Sequence, residues 1–220
     1  MMDQQTSKQP VHQQVYRQLR EMILFGELAP GQPVTMLGLA ERLGAGMTPV
    51  REALRRLTAE GALELQGNRR VAVPELDRAC LDELAFARLA LEPELAKRAC
   101  NRLTANDIEV LAGCDVALNA AISQGDVAGY LRHNYQFHMM LYARARAPLL
   151  LSLADTLWLR AGPSLRVVCG RWGTMQLADC HAQALTAMRA PDAGALARAI
   201  ADDIRQGIGL VEASLTENKI

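Results

Sequence analysis

The strongest constraint in this 220-residue chain is a change of texture at Pro74. Before it, apolar runs are short and are cut by Gly26, Pro30, Gly31, Pro33, Gly44, Pro49, Gly61 and Gly67. After it, Ala- and Leu-rich sequence runs on in long stretches with apolar residues three and four apart, the period of a packed helix. A single uniform domain does not change texture in this way. Two regions are expected, residues 1–75 and 76–220, each long enough to bury its own core.

In the first region Val15, Leu19, Met22 and Ile23 make one face of a helix over about Val11–Phe25. GELAPGQPVT then reads as a turn and a short extended piece. A short helix over about Leu37–Leu43 stops at Gly44. Another runs over about Thr48–Gly61, with Pro49 in the first turn, where its missing N–H costs nothing. LELQGNRRVAV reads as two short strands about a turn at Gly67–Asn68. Three helices followed by a hairpin make a winged helix-turn-helix. In the second region, helices are expected over Asp77–Arg102, Thr104–Gln124, Asp126–Ala145, Pro148–Leu159, Thr174–Arg189 and Asp192–Leu215, broken among others at Gly162–Pro163 and Gly170–Gly173. The fold class is mostly α: the winged helix, then an antiparallel bundle of six or seven helices.

Composition excludes some classes and leaves others open. No run of 18 apolar residues is present, so no membrane span is expected. The polar start lacks the apolar stretch of a signal peptide, and five scattered cysteines form no CxxC pair. Both point to the cytoplasm and to free thiols. Charge is balanced, with 24 Lys plus Arg against 24 Asp plus Glu, and residues 1–75 carry nine basic against eight acidic side chains. The basic excess usual in a nucleic-acid binder is absent, so any DNA reading must rest on where charges stand.

Their placement is informative. Val50, Leu54 and Leu57 share one face of the third helix, while Thr48, Arg51 and Arg55 share another. An apolar face can dock on the small domain and an Arg-bearing face can enter a major groove, where the guanidinium fork suits guanine edges or phosphate. Arg69 and Arg70 follow the turn at Gly67, where a wing tip would meet the DNA backbone. The competing view is a solvated face with its arginines paired to Glu52 and Glu60; the helix, turn, helix and wing order outweighs it.

In the second region the informative residues are polar ones on apolar faces. Arg88 interrupts the stripe Leu81, Leu84, Leu91, Leu95, with Glu92 four residues on. That spacing fits a structural Arg88–Glu92 pair and equally a guanidinium placed for a ligand carboxylate. Asn134 and His138 line up with Leu131 and Leu141, His181 with Leu177, Leu185 and Met188, and Asp203 with Leu196, Ile200 and Leu210. Nitrogen and oxygen donors facing inward from three helices suit a divalent Zn, Ni, Mn or Fe ion. Trp158, Trp172 and Met139–Met140 read as packing.

The stretch GELAPGQPVTMLGLAERLGAGMTPVREALRRLTAEGAL resembles the N-terminal domain of GntR-family transcriptional regulators, most specifically in TPVREALRRLTAEG. RLALEPELAKRA, NYQFHMML and HAQALTAMRAPD resemble the FCD ligand-binding domain, so the resemblance covers nearly the whole chain. It implies a two-fold homodimer whose Thr48, Arg51 and wing Gly67 contact a palindromic operator, and a small carboxylate effector near Arg88. It implies also a metal held by one Asp and three His, of which His138 and His181 match two. Asn134 stands where the Asp is usual and Asp203 where the third His is usual, so the set keeps one carboxylate. Gly46-Met47 replaces the usual Ser-Arg before TPVRE. The alternative from another class is a metal-dependent hydrolase or lyase at His138, His181 and Asp203; it leaves the winged helix unexplained. No phosphate-loop GK[ST] and no nucleophile motif is present.

Overall fold

The computed structural model describes residues 10–67, 70–172 and 179–217. The chain divides into two compact units, the part up to Ile23 with Glu27–Pro74, and Leu24–Gly26 with the chain from Glu75 onward.

The first unit holds all but the last residue of α1 (Val11–Leu24), with β1 (Val34–Thr35), α2 (Met36–Leu43), α3 (Met47–Ala59), β2 (Glu64–Gln66) and β3 (Arg70–Ala72). The face expected for α1 is the buried one: Val15, Leu19, Met22 and Ile23 are all buried. Val50, Ala53, Leu54 and Leu57 bury the inner face of α3. Thr35 caps α2 by accepting the Gly38 N–H at 3.1 Å. Gly44 ends that helix in the left-handed region, φ 58°, which a residue without Cβ adopts at no steric cost. β2 and β3 pair antiparallel with Leu65 opposite Val71. The extended piece after the first turn joins them as β1, giving a three-stranded sheet in the order β1-β3-β2.

The second unit is a bundle of α4 (Arg78–Cys100), α5 (Ala105–Gln124), α6 (Val127–Ala143), α7 (Pro148–Trp172), α8 (Cys180–Arg189) and α9 (Ala193–Glu217). Its helix starts are written in acceptors. Asp77, Thr104, Asp126 and Asp179 each take a backbone N–H of the first turn, and Thr104 with Asp107 forms a reciprocal capping box. Helix α4 packs on α9, α5 on α6, α8 on α9 and α6 on α7. The core between them is built from Leu95, Leu111, Phe137, Leu141, Leu185, Leu196 and Ile200 among others.

One expectation needs correction. The helix from Pro148 does not stop at Leu159; α7 continues through Gly162 and Pro163 to Trp172. Proline's fixed φ is compatible with a helix, and the lost bond is tolerated where flanking turns are buried, as at Trp158, Leu159 and Leu165. The next described helix starts at Cys180, with Asp179 as its cap; Thr174, where its start was expected, lies outside the described residues. Asn68 and Arg69 of the hairpin turn also lie outside them.

Removing the α5 cap should register on its own unit. Thr104→Ala is expected to lower the unfolding free energy of the helical unit by about 1 kcal/mol, measured by urea denaturation followed at the α-helical band. No loss would mean that the capping box is not satisfying the orphan N–H groups.

Candidate functional site

Within the helical unit, Arg88 and Glu92 of α4, Asp115 of α5, Asn134 and His138 of α6, and His181 of α8 are buried polar side chains. Asp203 of α9 stands with them, its side chain 21% exposed. Three of these converge. His138 Nε2 lies 3.1 Å from Asp203 Oδ2 and 3.3 Å from His181 Nε2. His181 Nε2 lies 4.0 Å from Asp203 Oδ1. One ligand atom from each falls within 4.8 Å of the others, a spacing a single ion could span. Two imidazole nitrogens with a carboxylate form a donor set suited to a divalent transition metal, and the residues present fit one.

Each ring is held from behind. His181 Nδ1 meets Asp115 Oδ1 at 3.1 Å and its ring stacks on Phe137, centroids 4.0 Å apart. His138 Nδ1 meets the Tyr142 hydroxyl at 2.9 Å. Tyr142 in turn donates to Glu92 Oε2 at 2.7 Å, and Trp158 donates its indole N–H to the same oxygen at 2.9 Å. Arg88 grips Glu92 through Nε at 2.5 Å and Nη2 at 3.3 Å, with its guanidinium 4.5 Å above the Trp158 ring. The structural pair allowed by the i,i+4 spacing is therefore formed, and Nη1 alone is left uncommitted among the described residues.

These contacts set the ionisation of the cluster. Burial pushes His138 down, more than Asp203 lifts it, so the ring is neutral at neutral pH. Burial pulls His181 down too, but the bond to Asp115 and the charges of Asp203 and Asp115 outweigh it and raise the ring. Burial pushes the Asp203 carboxyl up, yet the close approach of His138 and the nearby His and Arg charges bring it to about 2.

Beside the converging atoms lies a polar cavity of about 20 Å³, room for one or two waters, lined by Arg88, Asn134, Trp158, Asp203, Ile204 and Gly207 among others. Asn134 stands one turn before His138 on this wall, 6% exposed, and its amide has no hydrogen-bond partner among the described residues. An amide that borders a cavity without a protein partner is open there to water or a ligand.

In the first unit Thr48, Arg51 and Arg55 share the exposed face of α3, opposite its buried Val50–Leu57 side. Glu60 is not paired to either arginine. It is taken by Arg56 at 2.9 Å and by the Tyr16 hydroxyl at 2.8 Å. Arg51 and Arg55 form no ion pair among the described residues, which removes the competing view of a self-neutralised face. Gly67 and Arg70 flank the hairpin turn and are exposed, while Arg69 lies outside the described residues. Gly46 takes the α3 cap position with no side-chain bond.

Asp115, Tyr142 and Trp158 escaped the sequence reading. Tyr142 sits one turn after His138, and Asp115 shares the inner face of α5 with Leu111 and Leu118, so spacing could have flagged both. Nothing local marks Trp158 as more than packing.

An exposed, Arg-bearing α3 beside a wing, with a buried polar cluster in a helical bundle, fits a DNA-binding regulator with a second, helical unit. Residues 11–73 match the gntR family of bacterial regulatory proteins and residues 83–206 match the FCD domain. The chain belongs to the GntR family, in the branch that carries an FCD domain. It is 31% identical over 202 residues to the HTH-type transcriptional regulator McbR of Escherichia coli K12, covering 90% of this chain and 91% of that one. The solved structure of E. coli McbR/YncC superposes with a TM-score of 0.87 at 29% identity, covering 93% of this chain and 98% of that one. A probable D-xylose utilization operon transcriptional repressor of Paenarthrobacter nicotinovorans is 29% identical over 191 residues, 85% of this chain and 84% of that one. The chain is thus a ligand-responsive, DNA-binding transcriptional regulator and not an enzyme, which disposes of the hydrolase or lyase alternative. Among the described residues no helix is long and apolar enough to cross a membrane.

Arg51→Ala is expected to weaken operator binding by about 1–3 kcal/mol without changing assembly state. Gel-shift titration beside light scattering measures both, and wild-type affinity in the variant would remove Arg51 from the interface.

Proposed function

We propose that residues 1–75 read a palindromic operator as half of a two-fold homodimer in the cytoplasm, while residues 76–220 bind a divalent ion and a small carboxylate effector. Thr48, Arg51 and Arg55 would face the major groove and Gly67, Arg69 and Arg70 the phosphates beside it. A single winged helix reads too few bases for useful specificity, which supports a dimer on two half-sites.

The observation that carries the sensing half is the charge of the buried cluster. Asp115, Glu92 and Asp203 oppose Arg88 alone once both imidazoles are neutral, the form that ligates a metal, and the cluster is then short of two positive charges. Buried charge needs compensation, and a dication supplies it. His138, His181 and Asp203 would hold the ion, with Asn134 a turn away on the cavity wall. When bound, the ion supplies a Lewis-acidic position for an oxygen ligand.

The chain's own residues then select the effector. Arg88 Nη1 and the Asn134 amide offer N–H donors to the cavity, and Asp203 contributes the one negative charge on its wall. Asp115 and Glu92 stand behind His181 and Arg88, outside the cavity lining, so they repel an entering carboxylate less than the nearer groups attract it. Because Glu92 already occupies Nε and Nη2, Arg88 meets the effector through one nitrogen instead of a two-nitrogen fork. The cavity has room for one or two waters, so an acid must be small and must displace them as the walls give.

Protein purified without chelator or a His tag is expected to carry about one divalent ion per chain by elemental analysis, and to gain thermal stability with short carboxylic acids. EDTA should abolish that gain. His138→Ala and His181→Ala should lose ion and acid response yet still bind DNA. Since protons and metal compete for the His181 ring, whose pKa is raised, affinity should fall as pH drops through the histidine range. An ion-free wild type that responds to acids in EDTA would overturn the metal, and no response to any acid would overturn the effector class.

A further inference from the structure

Behind the candidate centre runs a row of five groups with a carboxylate at each end: Asp115, His181, His138, Tyr142, Glu92. Its four links measure 3.1, 3.3, 2.9 and 2.7 Å. With neutral rings, the two imidazoles and the phenol bring one proton each, three protons for four links. One link must go without.

The gap falls where its cost is least. At the Tyr142–Glu92 link both side chains are fully buried, and a missing proton would press a phenol lone pair on a carboxylate oxygen at 2.7 Å with no water to intervene. With Tyr142 donating to Glu92, its oxygen can only accept from His138 Nδ1. At the other end, the ionised Asp115 claims the proton of His181 Nδ1 in the same way. The unserved link is the one between the two Nε2 atoms, beside Asp203, whose side chain is partly exposed. Asp203 competes for the His138 proton at 3.1 Å, but its side chain is 21% exposed, so water can serve it, whereas Glu92 has no such alternative.

We propose that Asp115 and Glu92 are positioning residues, Glu92 acting through Tyr142. By drawing the ring protons outward to Nδ1 they leave both Nε2 lone pairs turned on Asp203. Glu92 does a second job with the same carboxylate, since gripping Arg88 Nε and Nη2 leaves Nη1 as the donor next to the cavity. One buried acid therefore sets both the effector-facing and the ion-facing ends of the site. What fills the gap rests on the metal reading above; the ring tautomers are a property of the metal-free chain.

The test uses the full chain, stripped of metal and labelled with ¹⁵N-histidine, at an alkaline pH above the raised His181 titration, where the ¹⁵N shifts themselves show both rings neutral. Long-range ¹H–¹⁵N correlation then shows which nitrogen of each ring carries the proton. Wild type is expected to show His138 and His181 protonated on Nδ1. Tyr142→Phe keeps the ring's packing and removes the acceptor, so His138 should move its proton to Nε2, facing Asp203, while His181 stays. Asp115→Ala should move the His181 proton and leave His138, which keeps the test alive if the first variant fails to fold. Affinity for Zn²⁺, titrated directly, should fall about 10–100-fold in either variant. A wild-type His138 protonated on Nε2, or variants in which neither ring changes, would overturn the proposal. Shifted tautomers with no Zn²⁺ binding in any of the proteins would leave the positioning role standing and sink the metal reading instead.

Discussion

Four hydrogen bonds end on the Glu92 carboxylate, from three different helices: Arg88 twice on α4, Tyr142 on α6 and Trp158 on α7. The carboxylate is fully buried, and an isolated charge there would be prohibitive. With its partners present, desolvation is offset by the Arg88 charge and by donors that fill the remaining lone pairs. Removing one partner leaves the others facing an uncompensated charge, a loss of order 3–5 kcal/mol for a buried pair. The helices cannot slide against one another without breaking this arrangement, so it holds α4, α6 and α7 in register as the apolar core alone would not.

The site stands inside this bundle and not on its surface for the same reason. An apolar core tolerates changes of packing so long as volume is kept, but a satisfied polar cluster admits only one geometry. His138 inherits its orientation from Tyr142, and His181 from Asp115 and the stacked Phe137 ring. Each converging ring is therefore fixed by residues that do not themselves reach the centre. Asn134 is the exception, with no partner among the described residues, and it lines the cavity.

Much of this was legible in the chain, and the limits are physical. Periodicity placed the helices because each must bury one face, and acceptors such as Thr104 and Asp126 marked their starts. It also turned Arg88, Asn134, His138, His181 and Asp203 toward one interior, since inward facing follows from spacing alone. It joined Arg88 to Glu92 because those lie on one helix. Pairing across helices was not legible. Asp115 and His181 are 66 residues apart, as are Glu92 and Trp158, and nothing local ties either pair. The run through Gly162–Pro163 was misread for the opposite reason: local propensity argued for a stop, and burial on both sides of the proline overrode it.

The even charge of the chain becomes intelligible once individual pairs are known. In the first unit the acids are not spread evenly over the basic residues. Glu27 meets Arg42, and Glu60 meets Arg56 and Tyr16, whose ring Arg56 also covers at 3.8 Å. Those pairs fasten the unit together, and they leave Arg51 and Arg55 exposed on a face from which Glu60 has been drawn away. Exposed pairs add little stability, so their larger effect is on where positive potential remains. A net charge near zero is thus compatible with a local field on α3, because neutralisation occurs among residues on other faces. The helical unit does the reverse. There the acids outnumber the one arginine inside a buried cluster, and the deficit is concentrated around the point where two imidazoles and a carboxylate converge. One chain with no overall charge so carries two local imbalances of opposite sign, each placed by which partners the remaining side chains find.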